Sequence, residues 1–248
     1  MIFTNKKIII CILVILMVIG LVLILNNNYK KEDKVMNNNE IKNTGENRLY
    51  YLGHASLRIT TREGKVIYVD PYMGDNYDIA ADLVLVTHDH YDHNEVSKIK
   101  NKNSDYRLIT NKEGLVDGEY KSFDLGYAKI DVVEAGYNRY HNEKECVGYV
   151  ITLSDDTKIY IAGDTAITPM MDRLGTYNID YAFIPCDGKY TMSVEDAIKA
   201  SQKIKAKHNI PYHMVSDGRG YDDEVASKFK MDNFIIVKQK EEIILKHE

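Results

Sequence analysis

Hydropathy divides the chain into three stretches. Ile8 to Leu25 runs for eighteen residues without a charge, behind Lys6 and Lys7. No polar face interrupts it, and its length is near the minimum for spanning a bilayer core. It predicts an N-terminal transmembrane helix within residues 1–25, kept as an anchor or uncleaved signal. The run is longer than a usual signal core, and Asn26-Asn27-Asn28 follows where a small-residue cleavage site would stand. Residues 26–48 are rich in Asn, Lys and Glu with few apolar positions, which predicts a flexible linker. From Leu49 the pattern shortens to strand-length runs, and residues 49–248 read as one folded domain.

Within that domain, Leu49 to Leu52, Ser56 to Thr61 and Lys65 to Val69 predict an antiparallel start, with a Glu63-Gly64 turn between the last two. Asp82 to Val86 is a short apolar run of the kind buried on both faces. Asn94 to Lys100 reads as the start of a helix. Strands are expected at Tyr106 to Thr110, Lys121 to Leu125 and Lys129 to Ala135. Cys146 to Leu153 and Lys158 to Ala162 flank an Asp155-Asp156 turn and predict a hairpin. Helix is expected at Ile167 to Leu174, strand at Tyr181 to Ile184, and helix from the Ser193-x-x-Asp196 capping signal to about Lys205. Asn209 to Met214 predicts a strand and Asp222 to Lys230 a helix. Phe234 to Val237 and Glu242 to Leu245 predict closing strands. Strands first, then strands alternating with helices, predict two sheets with helices outside.

Composition adds little: 44% hydrophobic and 28% charged residues are ordinary for a globular chain. Cys11, Cys146 and Cys186 show no C-x-x-C spacing and read as small buried hydrophobes. Charge is more telling. Met1 to Arg48 carries seven basic and four acidic residues, +3, which leaves −8 of the net −5 for the folded domain. An acidic domain is a poor holder of phosphate backbones, so no nucleic acid partner is expected. Lys6 and Lys7 favour an inside N-terminus, although Lys30, Lys31 and Lys34 lie past the other end. The expected location is therefore membrane-anchored with the catalytic domain extracytoplasmic.

The chemistry is concentrated at Thr87-His88-Asp89-His90-Tyr91-Asp92-His93, directly after the Asp82–Val86 run. Three imidazoles and two carboxylates in seven residues would repel one another or take up protons unless a cation joined them. Imidazole with carboxylate suits zinc and similar divalent ions. The end of a strand is also where an open α/β sheet places its site. Three further donors fall beside predicted strands: His141 in a Gly/Asn/Tyr-rich loop, Asp164 after Ala162-Gly163, and His213 after Ile210-Pro211-Tyr212.

This ordered set, His88-x-His90-x-Asp92-His93, His141, Gly163-Asp164-Thr165 and His213, resembles the metallo-β-lactamase fold superfamily. Gly53-His54-Ala55-Ser56, Val69-Asp70-Pro71-Tyr72, Ala135-x-Tyr137-Asn138, Gly148-Tyr149-Val150-Ile151 and Tyr190-Thr191-Met192 are similar to its metal-dependent hydrolase branch. That branch includes the ascorbate-6-phosphate lactonase and N-acylphosphatidylethanolamine phospholipase D types. The resemblance implies a four-layer αββα sandwich of two mixed β-sheets. It implies two metal ions per chain, zinc first, with manganese or iron as alternatives. His88, His90 and His141 would hold one ion, Asp92, His93 and His213 the other, and Asp164 both. Asp92 and Asp164 are the expected catalytic carboxylates. Asp70 and Asp89 are candidates to orient ligating imidazoles from behind, and His54 to reach the mouth of the site or to serve only its turn. The implied activity is attack by a metal-bound hydroxide on an ester, lactone, amide or phosphodiester of a small or lipid-derived substrate. The alternatives are a non-catalytic metal-binding module and a di-iron redox protein on the same fold. Asp164 in place of a bridging-position Cys argues against a β-lactamase of the commonest kind.

Overall fold

The computed structural model describes Gly20 and residues 45–248. The expected anchor and nearly all of the linker lie outside the described residues. Among the described residues no helix is long and apolar enough to cross a membrane.

The described chain opens with β1 (Asn47–Gly53), β2 (Ser56–Thr60), β3 (Val66–Val69) and β4 (Ala81–Val86). β5 (Lys102–Thr110), the small hairpin β6 (Leu115–Val116) and β7 (Glu119–Tyr120), then β8 (Ser122–Asp124) and β9 (Ala128–Glu134) follow. β10 (Val147–Leu153), β11 (Lys158–Ile161), β12 (Tyr181–Pro185), β13 (His208–Tyr212) and β14 (Glu242–Leu245) complete the strands. Asn47 and Arg48, expected in the linker, already pair with β2 and β14.

Two six-stranded mixed sheets result, in the orders β14-β1-β2-β3-β4-β5 and β13-β12-β11-β10-β9-β8. In the first, β3, β4 and β5 run parallel; in the second, β11, β12 and β13 do. The remaining pairings are antiparallel. Strand alternation assigns the faces. Leu83 and Leu85 of β4 enter the core between the sheets, facing Ile151, Ile161 and Phe183, while Val84 and Val86 point to the opposite side. On the second sheet Tyr160, Ala182 and Ile184 turn outward onto a helical layer. Burial on both faces explains why these strands read as unbroken apolar runs.

The helical layer contains Pro169–Leu174, Val194–Ile204 and Asp223–Lys228. Ala197, Ala200, Ser201 and Ile204 form the buried stripe of the middle helix, at the spacing of one helix face. Ser193 Oγ accepts from the Asp196 N–H to start it, whereas Asp196 pairs with Lys199 instead of closing the capping box. The last helix is shorter than expected, with Asp222 capping the Glu224 and Val225 N–H groups.

The outer face of the first sheet departs from the expected four-layer αββα sandwich. Tyr68, Val84 and Val86 are covered there by Tyr77, Ile79, Val96 and Ile99 from irregular chain. The helix expected from Asn94 is reduced to a 3-10 turn, Val96–Lys98. The segment is tied to the loop after β3: the Glu95 N–H donates to the Pro71 carbonyl at 2.7 Å, and the Lys98 side chain donates through Nζ to the Tyr72 carbonyl at 2.5 Å. The expected strand at Phe234 to Val237 also does not form. A single bridge joins Phe234 to Asn209. Its side chains still alternate, Ile235 and Val237 toward the inter-sheet core, Phe234 and Ile236 toward the helices. The period-two pattern reflected burial on two faces without a ladder.

Candidate metal centre

Every parallel strand except the edge strand β5 is followed within three residues by a chemically loaded one, and His213 comes directly after β13. Asp70 follows β3, Thr87-His88 follows β4, Gly163-Asp164 comes just after β11, and Cys186-Asp187 follows β12. His54 sits in the two-residue turn between β1 and β2. Three of these residues hold left-handed backbone, His54 at φ 54°, Asp70 at 43° and His213 at 41°. Such conformations cost about 1–3 kcal/mol each and persist where surroundings fix them. Here they are fixed: the His213 N–H donates to the His54 carbonyl at 2.9 Å, and Tyr51 Oη donates to the same carbonyl at 2.8 Å. Tyr149 Oη, from the second sheet, donates to the Val86 carbonyl at 2.7 Å and so ties the end of β4 across the core.

The seven expected ligands converge. His88, His90 and His141 offer one group of donor atoms, all within 4.8 Å of one another; His54, Asp92, His93 and His213 offer a second, and His88, His93 and Asp164 a third that spans both. His88 Nε2 and His90 Nδ1 lie 3.0 Å apart. Asp164 is 3.2 Å from His141 Nε2, 3.3 Å from His213 Nε2 and 3.4 Å from His93 Nε2. His90 and Asp92 retain exposure, and the remaining ligands are buried.

The imidazoles are oriented from behind. Asp70, fully buried, accepts from His93 Nδ1 at 2.9 Å and from the Thr87 N–H and hydroxyl at 2.7 Å each. Thr87 Oγ1 lies 3.0 Å from His88 Nδ1. His141 Nδ1 is 3.3 Å from Asn138 Oδ1. Hydrogen-bonded partners of this kind fix which ring nitrogen carries the proton and leave the other lone pair facing the centre. His213 Nδ1 lies 3.3 Å from Asp187 Oδ2, a buried charge beside the ring without a hydrogen bond to it.

Asp89, proposed from sequence as an orienting carboxylate, does not play that part. It faces outward, 2.8 Å from Lys112 Nζ. Adjacent positions in the tight His-x-His turn point to opposite sides, so ligation by His88 and His90 turns Asp89 away. His54 comes closer than a mouth residue: its Nε2 is 3.3 Å from Asp92 Oδ2 and its ring centroid 3.7 Å from that of His213. Sequence reasoning missed Thr87, Asn138 and Asp187. Asn138 stood in the Ala135-x-Tyr137-Asn138 motif without a role, and Thr87 and Asp187 offered only position, one residue before His88 and just past a strand.

Electrostatics divide the donors. Burial, then the neighbouring His93, hold His88 well below the ordinary imidazole value, so it is neutral. Burial lowers His54 and His90 as well. Burial would raise Asp164, but the His213 and His93 imidazoles outweigh it and hold the carboxyl well below the usual range. Burial would lower His93 and His213, but Asp164 overrides it and raises both. Asp92 is likewise lowered against its burial, chiefly by the His54 hydrogen bond.

The donor set fits a metal. His93 Nε2, His213 Nε2 and Asp164 Oδ1 are buried and make no hydrogen bond, although they point at one another. Buried polar atoms left unpaired are costly. Three of them converging among imidazoles match the ligation chemistry of a divalent cation.

A two-sheet sandwich carrying a His-x-His-x-Asp-His loop, with single donors from three later segments, defines the metallo-β-lactamase class. Residues 48–213 match the family model described as Beta-lactamase superfamily domain. A metal-dependent hydrolase of Bacillus mycoides (strain KBAB4) is 31% identical over 193 residues, covering 67% of this chain and 84% of the relative. The crystal structure of a metal-dependent hydrolase from Parabacteroides distasonis ATCC 8503 is similar at a TM-score of 0.63 and 30% identity, covering 79% of this chain and 95% of that one. A metallo hydrolase from the archaeon Ignicoccus hospitalis KIN4/I shares the fold at a TM-score of 0.63 and 20% identity, covering 82% and 99%. The chain belongs to the metallo-β-lactamase superfamily and is a metal-dependent hydrolase.

Proposed function

We propose that this hydrolase is dinuclear, uses zinc, and cleaves an ester, lactone, amide or phosphodiester bond of a small or lipid-derived substrate. The observation that carries the reading is Asp164, one buried carboxylate within 3.2–3.4 Å of His141, His93 and His213, so that it reaches both donor groups. His88, His90 and His141 would hold one ion and Asp92, His93 and His213 the other, with Asp164 common to both and His54 beside the second. Imidazole-dominated donors favour zinc over harder cations. Bound divalent ions would supply Lewis acidity and a water acidified toward neutral pH.

The chain's own residues do the rest. Asp70 holds the Nδ1 proton of His93, which keeps its Nε2 lone pair turned inward, and the buried Asp187 carboxylate stands beside His213 Nδ1. Asp92, held ionised beside His54, offers the partly exposed carboxylate nearest the open side of the site. The buried ligands keep bulk water from the side toward the core. The N-terminal apolar segment is assigned as an anchor that keeps the domain on the extracytoplasmic side; protease digestion of the intact cell surface tests this, and a fully protected domain refutes it.

The test of the centre is metal content per chain in protein purified without chelators. About two equivalents of zinc are expected, falling in Asp164→Asn and His213→Ala, with hydrolysis abolished in Asp164→Asn. One equivalent, or a fully active Asp164→Asn protein, refutes the dinuclear mechanism. An iron-rich, visibly absorbing preparation refutes zinc.

A further inference from the structure

Four tyrosines surround the mouth of the cluster, each close in sequence to a residue already placed there. Tyr72 follows Asp70-Pro71, Tyr91 separates His90 from Asp92, Tyr140 precedes His141, and Tyr190 lies just beyond Asp187. With the ligands they line a cavity of about 360 Å³. They meet as two edge-to-face pairs. The Tyr72 and Tyr91 rings are 5.8 Å apart at 87°, and the Tyr140 and Tyr190 rings 5.0 Å apart at 75°. The first pair adjoins His54, 5.6 Å from the Tyr72 ring. The second adjoins the His141 loop, where Asn138 Nδ2 donates to the Tyr190 carbonyl at 3.2 Å.

Among the described residues, no Lys or Arg lines this cavity. Arg219, next to Gly218 in the lining, is paired with Asp217 and Asp222, and the two cations next to Tyr140 and Tyr190 are turned away from the cavity. The Arg139 guanidinium lies 4.5 Å over the Tyr140 ring and donates to its hydroxyl, and the Lys189 ammonium lies 4.5 Å over the Tyr190 ring. Both belong to a neighbouring groove that shares Tyr140 and Tyr190 as its wall. An anionic substituent held between the tyrosine pairs, away from the metal donors, would give up part of its hydration beside the Asp92 carboxylate with no Lys or Arg to pair with, which is unfavourable. An uncharged group loses nothing comparable and gains ring contacts. The volume is near the lower end of small-ligand sites, which run from roughly 300 to 1,000 Å³.

We infer that the non-reacting part of the substrate is an uncharged group of aromatic or short aliphatic size held between the two tyrosine pairs, and that Tyr140 is the specificity-determining wall that keeps an anionic tail from Arg139. This rests on the hydrolase reading of the same site. It selects small neutral esters, lactones or amides over substrates with a second anionic group.

The test uses the zinc-loaded full chain and two methyl esters of equal acyl length, methyl valerate and monomethyl glutarate. They differ in a terminal carboxylate, and acid release is titrated. Wild type is expected to favour the valerate by about tenfold or more in kcat/KM. Tyr140→Ala should lower turnover of the valerate and raise that of the glutarate, to a ratio of about threefold or less, and adding Arg139→Ala should remove the gain. A second readout is independent of turnover. Saturation-transfer NMR on the metal-free full chain should show contact with the ring of N-benzylacetamide that weakens in Tyr190→Ala. Wild-type preference for the glutarate, a ratio unmoved by Tyr140→Ala, or absent ring contact overturns the inference and leaves the hydrolase reading standing. Tyrosine-dependent ring contact with neither ester hydrolysed refutes the ester reading and leaves the cavity assignment intact.

Discussion

Replacing Asp70 with Asn changes one oxygen to an amide at a fully buried position where three donors converge. Asp70 accepts from the Thr87 N–H, the Thr87 hydroxyl and His93 Nδ1. Asn retains a single carbonyl oxygen, so it has two arrangements. With the oxygen toward His93, its amide group abuts the Thr87 N–H, and an unpaired buried donor costs about 1–3 kcal/mol. With the oxygen toward Thr87, its amide group faces His93 Nδ1, which must then accept. The ring proton moves to Nε2, the atom that faces Asp164. The second arrangement avoids the clash, and the loss falls on ligation. A lost orienting partner costs about 10–100-fold in metal affinity, or about 1.4–2.7 kcal/mol. Zinc affinity measured against a chromophoric chelator should therefore fall by that factor at the weaker position, with the fold retained by circular dichroism. Thr87→Val, which removes the hydroxyl between Asp70 and His88, should give a smaller loss in the same direction. Affinities within about threefold of wild type in Asp70→Asn would refute the tautomer argument.

Further outcomes follow from the same geometry. In metal-free protein Asp164 raises His93 well above the ordinary imidazole value and His213 above it, which adds to the protons a metal must displace. Zinc binding should release protons, and affinity should weaken as pH falls; calorimetry in two buffers of different protonation enthalpy reads the release, and a buffer-independent heat would contradict it. Burial pushes the Cys146 and Cys186 thiols up to about 12, so peptide mapping after iodoacetamide at pH 8 should find both unmodified in the native state. Rapid native labelling of either would show that its burial is wrong. Gly163→Ala would place a Cβ 2.8 Å from the Val147 carbonyl and 3.0 Å from Thr87 Cβ at a φ of 65°. It should cost about 2–4 kcal/mol and lower Tm by about 5–15 °C, and an unchanged Tm would refute the close approach.

The centre was legible because its ligands carry their own local signal. Three imidazoles within six residues after an apolar run announce a strand end, and His141, Asp164 and His213 each lie beside such a run. What surrounds them was not legible to the same degree. Asp187 comes beside His213 only because β12 and β13 lie side by side, and nothing in Cys186-Asp187-Gly188 announces that neighbour. Asp89 had the better sequence credentials, but the direction of a side chain in a tight turn is a three-dimensional property. The same holds for secondary structure. Ile99 is buried and Val96 half-buried, as one face of a helix would be, yet the segment makes only a single 3-10 turn between its ties to Pro71 and Tyr72. Phe234 to Val237 alternates as a strand does, but only Asn209 is there to pair with it. Periodicity reports which side of a residue is buried, and it leaves open what its backbone binds.

The donors do not come from one part of the chain. His54 and the cluster through His93 belong to the first sheet, whereas His141, Asp164 and His213 belong to the second. The first half of the centre is synthesised well over a hundred residues before the last ligand. β14, at the very end, must return to pair with β1 before the first sheet is complete. A cation held by both sheets would act as a proofreading clasp. It would engage only after the two halves had docked in register, and its binding energy would add to the work of prying them apart. Metal supply would then govern the lifetime of the folded protein as well as its activity.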